Sequence, residues 1–495
     1  MLEFRLEAAA DRLKPELQLG SPEMSLLKIA WRSIQQRMLS SSLTGLALAL
    51  GVMLVVAVLV ISMVVKTSFE SGNKLGYNMI VGAKGGRLDL LFNTVYYLGK
   101  PIEKIPWTYY NEFLPDSKRK DGKAGKFAQY TGLAIPVCLG DMVGAVRHKN
   151  AGATAADDPL KGAVPLPDAL LGKYRVVGTN PAMFTDLLQA KFSDGAVFQQ
   201  TDYDGCVVGA DLAERLDLKV GDDMCPSHGT EIHNAFHVTG ILERTGTPND
   251  RAAFINVEGF FMIADHALGS EEDASAADGA KAAEAAPAPK SSDLALSQEE
   301  VLKQPLAQEK RGVTAILVRG AGELPELLTR DLARIINKEP VAQAILPIEQ
   351  ISIVTGQLVE PFQWILLALT VLIVVVAGVG IMVSIYNSMT ERRHEIAVMR
   401  ALGARPGTVM CVVLLESILL AVGGGLVGWA AGHLLVAAAA PFVADYTGVA
   451  VGFLQFSTYE LVLIPALIVL ASLVGYLPAL AAYRTDVGKA LSATP

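Results

Sequence analysis

The chain has 495 residues, 51% of them hydrophobic and 19% charged, with a mean hydropathy of +0.37. That balance excludes an ordinary soluble protein and indicates membrane segments joined to a sizeable polar part. The net charge of −8 carries no basic excess of the kind nucleic-acid binding uses, so nucleic acid is not an expected partner.

Residues 1–41 read as a cytoplasmic N-terminal segment. Up to residue 23 it is charged and mixed, suiting a weakly ordered stretch or a surface helix. The run "MSLLKIAWRSIQQRMLSS" then places Leu27, Ile29 to Trp31, Ile34 and Met38 at a helical period, with Lys28, Arg32 and Arg37 elsewhere. This is either a basic amphipathic helix on the inner membrane surface or the soluble start of the first span, and the two can merge. Residues 42–65 carry no charge before Lys66 and form the first expected span. The segment lies about forty residues in, is too long for a signal-peptide core and lacks an A-x-A site, so it reads as an uncleaved anchor.

Residues 66–361 form a region large enough for two subdomains. Strand-like runs recur in "MIVGA", "LAIPVCL", "YRVVGT", "GCVVGA", "HVTGIL", "AAFINV" and "TAILVRG", alternating with helix-like "AMFTDLLQAKF", "ADLAERLDL" and "LPELLTRDLARIINK". The expectation is a mixed α+β domain. Residues 271–293, rich in Ala, Pro and charge, read as a mobile loop. Three of the four cysteines lie here, and the nearer pair, Cys206 with Cys225, leaves a disulfide open. Three of the seven histidines cluster in "HGTEIHNAFH". His233 and His237 share a face in either helix or strand, so His228, His233 and His237 are weak metal candidates against the simpler reading of hydrogen-bonded surface residues.

The second expected span, 362–385, runs directly into charge at 386–408. The third, 409–436, holds Glu416 and His433. A short 437–458 connection follows, then a fourth span at 461–482 with Pro465 and Pro478, and a 483–495 tail. The expected architecture is therefore an α-helical membrane protein with four transmembrane helices plus a large mixed α+β extracytoplasmic domain. Lys28, Arg32, Arg37, Arg392, Arg393, Arg400, Arg405, Arg484 and Lys489 flank one side of the spans, while 437–458 has neither Lys nor Arg. Both termini and 386–408 are thus expected in the cytoplasm, and 66–361 outside.

The sequence contains no G-x-x-x-x-G-K-[ST], G-x-S-x-G, H-E-x-x-H or C-x-x-C. The chain is therefore expected not to be an enzyme and to bind no cofactor itself; any ATP and Mg would belong to a partner. The second span continues through good helix formers to Gly403, a helix stop, and Pro406 suits a fresh start. Glu391 and Glu395 share a helix face, as do Arg392 and Ile396, and Ile396 and Arg400. The segment is either a solvated loop with orienting arginines or a rigid docking lever. Glu416 reads as a structural anchor or a functional acid. Gly424, Gly428 and Gly432 form a small-residue stripe for packing within the bundle or between copies.

"TERRHEIAVMRALGARPGTV" followed by "LLESILLAVGGGLVGWAAGHLL" resembles the signature of the FtsX-like/MacB-like ABC transporter permeases, the type VII mechanotransmission superfamily. "GADLAERLDLKVGDDM", "HVTGILERTGTPNDRAAFINVEGFF" and the ending "YLPALAAYRTDVGKAL" are similar to further family segments, although Val487 stands where a proline is common. The resemblance implies a bacterial inner-membrane permease acting in the cell envelope. It implies a second permease copy as homodimer partner, a cytoplasmic ABC ATPase, and a coupling site that includes Glu391, Arg392, Glu395, Ile396, Arg400, Ala401, Gly403 and Ala404. Export or extraction of a hydrophobic or lipidated substrate is the leading expectation. The alternatives are a signalling regulator acting on a periplasmic partner such as a cell-wall hydrolase, and a membrane-anchored binding module without an ATPase.

Overall fold

The computed structural model describes residues 26–36, 38–71, 75–99, 103–149, 162–228, 231–263, 266–268, 290–293, 295–296, 304–391, 396–397, 400–401, 403–447 and 460–484. Residues 1–25, most of the 271–293 loop, residues 448–459 and the tail beyond residue 484 thus lie outside the described residues. The chain divides into two compact units, one made of 1–65, 360–441 and 451–495, the other of 66–359 and 442–450.

The first unit is helical. Helix α1 is Leu26–Gln36, α2 is Met38–Ser71, α3 is Glu360–Glu391, α4 is Pro406–Thr447 and α5 is Glu460–Tyr483. Four stretches, Ser41–Met63, Pro347–Asn387, Pro406–Pro441 and Glu460–Ala481, are long and apolar enough to cross a membrane. Long apolar runs with few charges explain their length. Pro441, Pro465 and Pro478 sit inside α4 and α5, whereas α3 has no proline after Pro361.

The second unit is a large mixed α/β domain. Its main strands are β1 Met79–Ala83, β2 Thr131–Arg147, β3 Arg175–Thr179, β4 Gly205–Val208, β5 Asp223–His228, β6 Phe236–Leu242, β7 Ala252–Asn256, β8 Ala315–Gly320 and β9 Ala342–Ile345. Strands β3, β4 and β7 are buried along their whole length, which is why they read as continuous apolar runs rather than alternations. Strand β6 alternates buried and half-buried residues, so only one of its faces is fully covered.

Strand β2 organises the sheet. Residues 131–137 pair with β8, Cys138 to Met142 pair with β3, and Met142 to Arg147 pair with β5. From β3 the order continues through β7, β4 and β6 back to β5, so six strands close a ring of pairings. Strands β1 and β9 extend the sheet beyond β8, and helix Pro325–Asn337 packs on β8 and β9. Asn337 fixes that helix end to the sheet, donating to the Ala344 carbonyl at 2.9 Å and accepting from the Ala344 amide at 2.9 Å. By contrast, the helix-like "AMFTDLLQAKF" yields only a five-residue turn, Met183–Leu187, because Phe192 is taken into a strand beside β6.

All four cysteines are free thiols. Cys206 on β4 and Cys225 on β5 are separated by β6, about 9.5 Å at the normal strand spacing, too far for a disulfide. Burial pushes the Cys138 and Cys225 thiols up to about 12 and the Cys206 thiol higher still. In the folded protein without reductant, these three thiols should therefore resist iodoacetamide. After denaturation all four should be alkylated; mass spectrometry showing fewer adducts would mean a bridge exists.

Candidate functional site

The segment between α3 and α4 is described in part. Glu391 is the last residue of α3, while Arg392 and Glu395 lie outside the described residues. Ile396 and Ala397 are helical and buried, so Ile396 anchors the segment rather than presenting itself to solvent. Arg400 and Ala404 are half-buried, and Ala401 and Gly403 are exposed. Gly403 has φ +102° and its amide bonds the Arg400 carbonyl at 3.1 Å, a helix stop that favours glycine. Pro406 opens α4, where its missing N–H has no cost.

Glu416 is a tie between helices. It is buried on α4, and its Oε2 accepts a hydrogen bond of 2.9 Å from the buried Ser33 hydroxyl on α1. The bond pins α1 by its Ala30–Ser33 face and leaves Leu27 and Trp31 exposed. A second tie went unnoticed in the sequence because Glu460 falls one residue before the expected fourth span. The Trp429 indole N–H donates to Glu460 Oε2 at 3.0 Å, and His433 Nε2 lies 2.9 Å from the same oxygen. The ionisable groups of the apolar helices thus number more than the expected Glu416 and His433.

The glycine stripe is filled from within the chain. A Cβ on Gly424 would lie 2.8 Å from the Gly45 carbonyl oxygen, one on Gly428 would strike the Ala49 carbonyl, and one on Gly432 would lie 2.8 Å from Val56 Cβ. Gly45, Ala49 and Val56 follow one face of α2, so α2 and α4 meet backbone to backbone. Gly475 on α5 leaves room for the Ser417 side chain of α4, which a Cβ there would strike.

The three candidate histidines do not form one site. His237, on β6, has Asp202 Oδ2 3.5 Å from Nε2 and Asp204 Oδ2 3.5 Å from Nδ1. Asn256 holds that loop, its Nδ2 donating to the carbonyls of Gln199, Gln200 and Asp202. Burial, and then a hydrogen bond with Asp204, push the Asp202 carboxyl up. The shared face expected for His233 and His237 is absent because His233 lies beyond the short strand Glu231–Ile232, where it turns inward. His233 and His228 belong instead with Asp141 and His266, two residues the sequence reading did not single out. His228 Nδ1 lies 3.8 Å from Asp141 Oδ1, and the His233 ring lies edge-on to His266 at 6.2 Å.

Comparison with known proteins places these features in one family. Residues 41–288 match the MacB-like periplasmic core domain, and residues 367–487 match the FtsX-like permease C-terminal region. A macrolide export ATP-binding/permease protein MacB from Rhodopirellula baltica is 37% identical over 108 residues, 22% of this chain and 16% of that protein. A MacB protein of Mannheimia succiniciproducens is 35% identical over 112 residues, 23% of this chain and 17% of its own. The uncharacterized ABC transporter permease YknZ of Bacillus subtilis is 30% identical over 105 residues, 21% of this chain and 24% of its own. The chain thus spans about a sixth to a quarter of the length of these relatives.

Gly428→Val should lower the unfolding midpoint of the detergent-solubilised protein by several degrees, since overpacking of this kind costs about 1–3 kcal/mol. Gly423→Val, where an added Cβ meets nothing within 4 Å, should leave it unchanged. Equal effects of the two would contradict the α2–α4 contact.

Proposed function

Because this chain belongs to the FtsX-like and MacB-like ABC transporter permeases, we propose that it is the membrane subunit of a transporter whose ATP is hydrolysed by a separate ATPase. The observation that carries the reading is the presence of both family regions in one chain, with the charged segment between α3 and α4 lying inside the permease match. That segment faces the cytoplasm by its arginine content. Glu391, Arg392, Glu395, Arg400, Ala401, Gly403 and Ala404 meet the ATPase there, while the buried Ile396 holds the lever to its own bundle. The two termini lie on the same side, and the 66–359 domain lies outside the inner membrane.

Energy passes through α3. It is about 48 Å long at 1.5 Å per residue, and it lacks an internal proline that would kink it. Closure of two ATPases beneath a pair of permease copies pushes on the segment after Glu391, and α3 carries the displacement outward. No polar path through a single bundle is needed. Glu416 is bonded to Ser33, and His433 and Glu460 are engaged with each other, so these groups act as ties rather than channel lining. The exposed Phe362 and Trp364 at the outer start of α3 suit a hydrophobic or lipidated substrate arriving from the bilayer and handed to the outer domain.

Co-purification with a co-expressed ABC ATPase subunit tests the docking claim. Reversing charge at both Glu395 and Arg400 should abolish the association, whereas Lys84→Glu in the outer domain should not affect it. Unchanged association in the double reversal would sink the lever. Crosslinking of the outer domain in an ATPase-trapped complex should capture substrate; capture of a cell-wall hydrolase instead would overturn transport.

A further inference from the structure

Helix α1 has three distinct sides. Successive residues stand about 100° apart around a helix, which puts Ile29, Ala30 and Ser33 on one side, Leu27, Trp31 and Ile34 on a second, and Lys28, Arg32 and Gln35 on a third. The first side is turned to the bundle: Ala30 and Ser33 are buried, and the Ser33 hydroxyl donates to Glu416 Oε2 of α4. The second side is apolar yet open, with Leu27 56% and Trp31 53% exposed. Lys28, Arg32 and Gln35 are exposed on the third, and α1 contains no acidic residue. The helix lies outside both matched family regions, 41–288 and 367–487.

The seam between α2 and α4 sets the depth of α1. Gly424 stands against Gly45, Gly428 against Ala49 and Gly432 against Met53, so the two helices run parallel and in step. By that register Glu416 is level with position 37, four residues short of Ser41, where the apolar stretch of α2 begins. Four residues are about 6 Å along a helix, and the headgroup layer is about 5–8 Å deep on each side of the hydrocarbon. Ser33, bonded to Glu416, is therefore held in the headgroup layer, and Leu27 to Arg32 lie within two turns of it. An open tryptophan and leucine beside an open lysine and arginine suit that layer, where one flank of a helix meets hydrocarbon and the next meets phosphate.

We propose that α1 binds an anionic phospholipid, with Lys28 and Arg32 on the headgroup phosphate and Leu27 and Trp31 against the glycerol and upper acyl chain. Residues four apart on a helix have Cβ atoms about 5–6 Å apart, so Lys28 and Arg32 can meet around one phosphate, the arginine through paired N–H groups. Leu27 and Trp31 form the matching apolar pair on the neighbouring side. The order of groups is that of the lipid itself, charge beside hydrocarbon. A cytoplasmic protein is the poorer occupant, because lipid headgroups already cover this depth. The site rests on the membrane reading of the helical unit and not on the ATPase docking. Because Ser33 ties α1 to Glu416, a lipid held here steadies α4 and the seam it makes with α2.

Thermal unfolding of the full-length protein in a neutral detergent tests this. Added phosphatidylglycerol should raise the unfolding midpoint, since a ligand of the folded state stabilises it, while phosphatidylcholine and inorganic phosphate at the same concentration should not. The shift should shrink as salt is raised. Each basic residue near an anionic surface contributes about fivefold to binding, so Lys28→Gln combined with Arg32→Gln should need about 25-fold more phosphatidylglycerol for the same shift. Trp31→Ala should weaken the response as well. Lys118→Gln combined with Lys120→Gln, which removes the same charge from exposed positions of the outer domain, should respond as the parent does. No shift of the parent with phosphatidylglycerol, or equal shifts of the parent and the Lys28 and Arg32 double variant, would overturn the proposal. A full shift with inorganic phosphate would also overturn it, leaving a site for a free anion. So would loss of a co-expressed ATPase from the double variant with its lipid response intact, which would make this face a protein contact.

Discussion

Backbone pairing along one strand sets the geometry of the outer domain. Strand β2 is 17 residues long, against about five or six for a typical strand, and a strand of that length twists too far to keep one neighbour. It therefore shares its hydrogen bonds among β8, β3 and β5 in turn, with one register shift at Gly140–Asp141 opposite β3 and a second at Gly144 opposite β5. The ring of six strands closes only because β2 reaches both β3 and β5. Gly144 stands at the second shift, where a Cβ would strike the Ser227 side chain. The first shift puts Asp141 inside. Burial pushes its carboxyl up, and His266, His233 and His228 outweigh that, holding it below the usual carboxylate range. The bulge that lets the strand bend is thus also the place where charge has to be compensated.

The helical unit obeys a different constraint. In an apolar solvent there is no hydrophobic gain from bringing Leu against Leu, so helices meet where small residues let backbones approach and where polar groups find partners. Both devices are present on α4, glycines toward α2 and Glu416 toward α1. They leave α3 comparatively free: 18% of its apolar window is buried, against 44% for α2. In the proposed mechanism α3 is a lever that moves, which is better held at one face than wrapped on all sides, and its contacts with α5 supply that face.

Much of this was legible because the signals are local. Long uncharged runs give the apolar helices, and "MIVGA", "YRVVGT" and "TAILVRG" each give a strand through their own apolar residues. Gly403 and Pro406 announce a helix stop and restart within four residues. The glycine stripe was equally visible, but its partner was not: nothing near Gly428 in the sequence says that Ala49 lies against it. The same limit governed the histidines. Spacing drew His233 and His237 together, yet one belongs to a strand and the other to a loop that turns inward. Asp141 and His266 are separated by 125 positions, and an aspartate within a strand run carries no local mark of being buried. Glu460 escaped for a smaller reason, lying just outside the run that defined its helix.

The internal use of the glycine stripe bears on how two copies would pair in the proposed transporter. Gly424, Gly428 and Gly432 are closed off by α2, so a second copy cannot use them for close backbone approach. The faces left open on α3 and α5 carry large side chains, among them Leu372, Val376, Leu473 and Leu477. Association on such a surface rests on van der Waals fit between side chains rather than on interlocked backbones. Side-chain surfaces of this kind can repack as helices shift, whereas a glycine seam cannot without opening a gap. A permease that works by transmitting movement gains from that division: the seam that must stay closed lies within each chain, and the faces left for a partner are ones that can slide.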